Sequence, residues 1–155
     1  MVQSSFQCTG ESCDFWSVEL FADLKGNGLF TELTDLAFLF STDGISIFQS
    51  RSAFTTWPLI LQSLNLPPKQ RSKDENLFLL GAIPGPFAPV DLDSFLFPLI
   101  QEFKILQKGI IAWDGHRGIE FVLKAHITLI GADMPARERI MGVKGSGWYL
   151  PTFQT

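Results

Sequence analysis

Long hydrophobic runs are absent from this sequence of 155 residues. The longest one, LFLLGAI at residues 77–83, has the length of a strand and falls far short of the roughly 18 residues that a membrane span needs. Residues 1–15 lack the basic start and the apolar stretch of a signal peptide. We therefore expect a soluble, intracellular protein that has no membrane partner.

Cysteine and histidine are scarce, with two of each in the chain. Cys8 and Cys13 lie near the start, whereas His116 and His126 lie far downstream without paired spacing, so the four ligands of a zinc site are not indicated. We expect reduced thiols, with a disulfide or a metal site as the less favoured alternative. His116 is predicted to lie in a loop. The apolar surroundings of His126 predict a core histidine whose hydrogen bonds are satisfied.

Clustered basic residues are lacking as well, and the formal net charge is −4. Residues 1–50 hold seven acidic and one basic side chain, whereas residues 101–155 hold five acidic and seven basic ones. Phosphate binding favours clustered lysine and arginine, so this is a poor footprint for nucleic acid. The best basic patch, Lys124 with Arg137, Arg139 and Lys144, is better interpreted as an ordinary solvated face.

Motifs for two common kinds of catalysis are also missing. There is no G-x-S-x-G nucleophile motif, and the glycine-containing segment GAIPGPFAP has no lysine followed by serine or threonine. These absences argue against nucleophilic hydrolysis and against a phosphate-binding loop.

Apolar volume, by contrast, is plentiful. Hydrophobic residues make up 46% of the chain, which includes 15 Phe and 4 Trp, enough for one domain with a substantial core. Periodicity and breakers predict an α/β or α+β domain around one mixed sheet. The predicted elements are a helix from Asp14 to Gly26, strands at 36–42, 45–48, 57–66 and 75–83, a helix at 91–109, a hairpin at 110–125, a strand at 126–133 and a helix from Pro135.

The segment 91–109 gives the clearest helical pattern. Asp91 or Ser94 can cap it, Gly109 can end it, and Pro98 is tolerable only in its first turn. One apolar face is predicted, formed by Phe95, Leu99, Phe103 and Leu106.

Asp43 and Gly44 separate two apolar runs, LAFLFST and ISIF. Asp-Gly accepts the positive φ angles of a type I′ turn, so the local pattern favours a hairpin tip. The other interpretation is a carboxylate carried by a strand for chemistry. Asp133 follows a second apolar strand, and hard cations such as Mg²⁺ prefer carboxylate oxygens from neighbouring strands. Spacing alone does not decide between these interpretations.

An ordered series of motifs bears on this choice. The strings TDG, WP, LPP…R…EN, PGP…P…DLDSFL and GADMPA occur in the order found in CACTA-type (En/Spm-like) transposases, and this chain resembles the fungal branch of that family over about residues 14–145. The resemblance implies a ribonuclease-H-like fold with a D-D-E metal centre for DNA strand cleavage and transfer. It assigns the first acid to Asp43 and the second to Asp133, with Mg²⁺ or Mn²⁺ as cofactor.

That assignment carries expectations for the fold. Two carboxylates that share a metal must approach within roughly 3–6 Å. We therefore expect the strand at 36–42 to lie beside the strand at 126–132, and the helix at 91–109 to pack on a sheet face away from the pair.

The chain departs from the family pattern after GADMPA, because no position matches the third acid. We expect a tail at 1–13, a partial ribonuclease-H-like core at 14–145 and a divergent tail at 146–155. The protein is then expected to be a fragment or domesticated remnant of a transposase, nuclear by resemblance and inactive alone. We expect it to bind DNA weakly or not at all, and to self-associate through an incompletely covered sheet. The alternative is a noncatalytic α+β interaction or binding domain.

Overall fold

The computed structural model describes residues 14–17, 19–46, 55–85, 87, 89 and 91–131. Several predicted features lie outside these ranges, namely Cys8, Cys13, Asp133, the helix from Pro135 and most of the basic patch. Two short 3-10 helices occupy Phe15–Ser17 and Asp74–Asn76. The other elements are α1 (Glu19–Gly26), β1 (Leu36–Thr42), β2 (Ile45–Ser46), β3 (Thr55–Ser63), α2 (Pro68–Arg71), β4 (Leu77–Pro84), α3 (Asp93–Leu106), β5 (Ile110–Asp114), β6 (Ile119–Leu123) and β7 (Ala125–Gly131).

Five strands form one mixed sheet. Strand β3 pairs antiparallel with β1 and β2 on one side and with β4 on the other, while β7 pairs with β1 in parallel. Helix α3 lies in the connection from β4 to β7, as a crossover between strands of the same direction requires. The predicted mixed sheet with flanking helices is confirmed, and its arrangement is compatible with a ribonuclease-H-like fold.

Apolar side chains cover both faces of this sheet because residues alternate between faces along a strand. On one face, Phe40 joins a buried cluster with Leu96 and Phe103 of α3, and the rings of Phe38 and Phe103 meet edge to face at 5.9 Å. The other face carries a second cluster around Ala37, which is completely buried. It contains Phe15, Phe30 and Leu64, with partly buried side chains of α1 and its flanks packed against it.

Helix α3 differs from its predicted details in two ways. Pro98 lies in the second turn rather than the first, so the helix forgoes the hydrogen bond that its missing N–H would donate to the carbonyl of Ser94. Phe95 is about half exposed, and Leu96 is buried in its place. Asp91, two residues before the helix begins, accepts hydrogen bonds from the backbone N–H and the hydroxyl of Ser94 in the first turn. These bonds hold the pKa of Asp91 below its ordinary value.

A buried ion pair connects the start of the described chain to the end of β3. The Arg71 guanidinium donates to both carboxylate oxygens of Asp14, with the Nη2–Oδ2 distance at 2.8 Å. It also donates to the carbonyls of Leu64 and Leu66. The Asp14 carboxylate also accepts the backbone N–H of Phe15 at 2.7 Å. Sequence spacing did not indicate its ion pair with Arg71.

The predicted hairpin forms as a separate two-stranded sheet of β5 and β6, and His116 lies in its loop. One side of this hairpin exposes large apolar side chains, with Ile111 at 74% and Trp113 at 64% of their full exposure. Val122, opposite Ile111, is also half exposed. None of the described helices is long and apolar enough to cross a membrane.

Candidate metal site at the end of β1

Asp43 immediately follows β1 and is exposed. The hairpin turn predicted for Asp43 and Gly44 is wrong. Neither residue has a positive φ angle, and β1 and β2 lie along the same edge of β3, because β4 pairs with the opposite edge at both places. The chain therefore continues from β1 through Asp43 into β2 without reversing.

The register explains this extended path. Thr42 pairs with Leu59, and Ile45 pairs with Thr56. The second pair lies three residues further along the chain on one side and three residues earlier in β3, so the register is unbroken between them. Asp43 therefore lies opposite Pro58, and Gly44 lies opposite Trp57. Proline has no N–H to donate to a neighbouring strand, and this is where the pairing between β1, β2 and β3 is interrupted.

Asp43 also belongs to the face of β1 away from α3. Phe38 and Phe40 contact α3, and side chains alternate along the unbroken register with β3. Asp43, odd-numbered like Ala37 and Leu39, consequently lies on the opposite face. The long helix therefore packs away from Asp43, as expected for this member of the predicted pair, and the expectation for Asp133 stays a prediction.

Strand β7 reaches the same end of the sheet as β1. The two strands run parallel, with Leu36 opposite Ala125 at one end and Ser41 opposite Gly131 at the other. The predicted neighbourhood of these strands is confirmed. Asp43 follows Ser41 by two residues, and in the sequence Asp133 follows Gly131 by two residues. Asp133 itself lies outside the described residues.

The chemistry available at Asp43 suits a hard cation. Its Oδ1 accepts the backbone N–H of Gly44 at 2.7 Å, and its exposed carboxylate retains the lone pairs of Oδ2 for a further ligand. Carboxylate oxygen is the ligand type that Mg²⁺ and Mn²⁺ prefer. Within the described residues, no group of three or more His, Cys, Asp or Glu side chains could hold a metal, so Asp43 supplies one part of a site at most.

A second polar feature lies at the other end of the β1–β7 pair. His126 is 7% exposed, and its ring meets that of Phe30 edge to face at 5.2 Å. The prediction of a core histidine is confirmed, but the expected hydrogen bonds are wrong, since neither ring nitrogen has a partner within the described chain. Asp35, 1% exposed, likewise has one carboxylate oxygen without a partner there.

Burial lowers the pKa of His126 below its ordinary value of 6.5. The nearby Asp35 carboxylate opposes this shift, and Lys124 adds to it. Folded protein therefore resists protonating His126, whereas the unfolded chain protonates it as the pH falls through about 6.5. The unfolded state then binds more protons, so this histidine costs no stability above that pH and destabilises the fold below it.

We expect the free energy of unfolding to fall between pH 7.5 and pH 5.5, and part of that slope to vanish in His126→Phe. Urea denaturation at each pH measures it. His116→Gln, which changes the exposed loop histidine instead of the buried one, is the matched control. Equal slopes for the wild type and His126→Phe would contradict the prediction.

Sequence similarity adds a family to this geometry. The model of the transposase family tnp2 matches residues 22–152. The chain therefore belongs to this transposase family. No curated protein shows significant similarity to it.

Proposed function

We propose that this chain carries part of the catalytic core of a D-D-E DNA transposase of the CACTA type, in its fungal branch. In this proposal Asp43 and Asp133 hold Mg²⁺ or Mn²⁺ for cleavage and transfer of DNA strands. Membership in a transposase family supports DNA strand cleavage and transfer as the class of reaction, and DNA is the proposed substrate. Nuclear location follows from the same proposal.

The parallel pairing of β1 with β7 is the observation that carries the assignment of the two acids. Ser41 and Gly131 are paired at the ends of these strands, and each is followed two residues later by an aspartate. Neighbouring strands lie about 4.8 Å apart, so carboxylates at matching positions beyond the pair can share one ion. We propose that Asp133 approaches Asp43 in this way.

The residues fit a divalent cation because Asp43 offers an exposed carboxylate at a strand end. When bound, such a cation neutralises charge on a phosphate and lowers the pKa of bound water. The chain's own part is to hold the two carboxylates and to orient Asp43 through the hydrogen bond from Gly44. No third acid of the expected motif is matched in these 155 residues, so we also propose that these residues alone do not cleave DNA.

Binding of Mn²⁺ tests the proposal directly. Titration of the protein followed by the electron paramagnetic resonance signal of free Mn²⁺ should show a site that depends on both aspartates. Asp43→Asn and Asp133→Asn should each weaken binding by about tenfold or more, as expected when a metal site loses a carboxylate ligand. Glu102→Gln removes an exposed carboxylate of α3 and serves as the matched control.

The outcomes separate clearly. Binding that is equal in the wild type and Asp43→Asn would overturn the proposed site. The same preparations incubated with supercoiled plasmid and Mn²⁺ should produce no nicks above those of Asp43→Asn. Nicking that requires Asp43 would show that the 155 residues suffice for cleavage, and would contradict this second part of the proposal.

Self-association remains a prediction. The exposed side chains of Ile111, Trp113 and Val122 on the hairpin support it, because contiguous apolar surface favours contact between molecules.

A further inference from the structure

The backbone beside Asp43 rests on an aromatic ring. A Cβ atom added to Gly44 would lie 2.9 Å from Cζ2 and 3.1 Å from Cε2 of Trp57, and 2.9 Å from Cγ2 of Thr55. Real Cβ atoms essentially never come within 3.0 Å of such atoms. Glycine is therefore needed here for close approach and not for a turn, and the indole takes the space that a side chain would fill.

Trp57 is itself firmly held. It lies in β3, where its backbone is paired with that of Ile83 in β4. Its side chain packs against the main core cluster, which includes Leu59 and Ile83. Its ring is therefore supported by the core of the sheet.

Asp43 depends on this contact because the strand pairing is interrupted at its position. Thr42 and Ile45, which flank the Asp43–Gly44 pair, are paired with β3, whereas Asp43 lies opposite Pro58. What orients the Asp43 carboxylate is the hydrogen bond from the Gly44 N–H at 2.7 Å, and the Gly44 backbone lies against Trp57.

We propose that Trp57 is a positioning residue for Asp43, acting through the backbone of Gly44 to hold the carboxylate in the geometry that binds metal. This inference rests on the proposed function, since it assigns Trp57 a part in the same site. Mutation of a residue that orients a metal ligand without touching the metal commonly lowers metal affinity by about 10–100-fold.

The test uses Mn²⁺ titration of the full chain, with thermal unfolding of each variant measured in parallel. Trp57→Leu should weaken Asp43-dependent binding about tenfold, and Trp57→Phe, which keeps an aromatic ring, should restore most of it. Gly44→Ala should weaken binding to a similar extent by pushing the backbone off the ring. In a Trp57→Leu background, Gly44→Ala should cost little more, because both changes break one contact and such effects are not additive.

Trp113→Leu is the matched control, because it removes an exposed indole from the separate hairpin and should leave Mn²⁺ affinity unchanged. If the wild type binds Mn²⁺ through Asp43 but folded Trp57→Leu and Gly44→Ala bind it equally well, the positioning role is overturned while the metal site stands. If no Asp43-dependent binding exists in the wild type, the proposed function falls and this inference with it. Should Trp57→Leu fail to fold, Gly44→Ala decides: full affinity in that folded variant overturns the inference.

Discussion

Replacing Arg71 with methionine is expected to lower the free energy of unfolding by about 3–5 kcal/mol, the usual cost of removing one partner from a buried ion pair. The side chains of Arg71 and Asp14 are only 10% and 8% exposed. The change removes two charge-assisted hydrogen bonds to the Asp14 carboxylate and the bonds to the carbonyls of Leu64 and Leu66. Urea denaturation followed by tryptophan fluorescence measures the loss.

Lys73→Met provides the matched control for this prediction. Lys73 forms an ion pair with Glu75 at 3.7 Å, but both side chains are more than half exposed. Exposed pairs contribute about 0–1 kcal/mol, so this variant should unfold almost as the wild type does. A loss below about 1 kcal/mol for Arg71→Met would mean that the buried pair is held no more strongly than a surface pair.

Elements with strong local patterns could be predicted from the sequence. Alternation and breakers identified β4, the hairpin of β5 and β6, and β7, and apolar spacing identified α3. Their bounds shifted by a few residues, as expected when capping and packing decide the last turn of a helix. The mixed sheet followed from the order of these elements.

Features that depend on residues distant in sequence could not be predicted locally. Asp43 and Gly44 match a type I′ turn, yet the pairing of Thr42 and Ile45 with β3 keeps the chain between them extended. A proline in the middle of an apolar strand was the available signal, because it marks an interruption in pairing with the neighbouring strand. Tertiary contact outweighed the local preference.

The same limit applies to buried polar groups. Arg71 and Asp14 are 57 residues apart, and nothing in either local pattern marks a pair. The sequence motif that carries Arg71, LPP…R…EN, contributed to the resemblance to transposases, and the structure gives this arginine a structural role at the end of β3. His126 was predicted to be buried from its apolar neighbours. Its lack of hydrogen-bond partners within the described residues depends on tertiary packing, such as the contact of its ring with Phe30.

A second close approach, between the main chain of Gly85 and that of Thr55, lies in the same part of the sheet as Asp43. Gly85 follows β4, and a Cβ atom added there would lie 2.3 Å from the carbonyl oxygen of Thr55 and 3.3 Å from the backbone nitrogen of Phe87. Both neighbours are main chain, so neither can move aside by changing a rotamer. Thr55 begins β3, and its Cγ2 atom lies where a side chain at Gly44 would be. Displacing the Thr55 backbone therefore disturbs the packing around Gly44, the residue after Asp43.

Gly85→Ala is therefore expected to destabilise the fold by about 1–3 kcal/mol, the usual cost of forcing extra volume into a packed site. Gly81→Ala, within β4, is the matched control, because its added Cβ meets nothing within 4 Å and its φ angle lies outside the left-handed region. Restricting the unfolded chain should leave that variant unchanged or more stable by about 0.4–1 kcal/mol. Urea denaturation of both variants gives the comparison, and equal stabilities would show that β4 can shift away from Thr55 without cost.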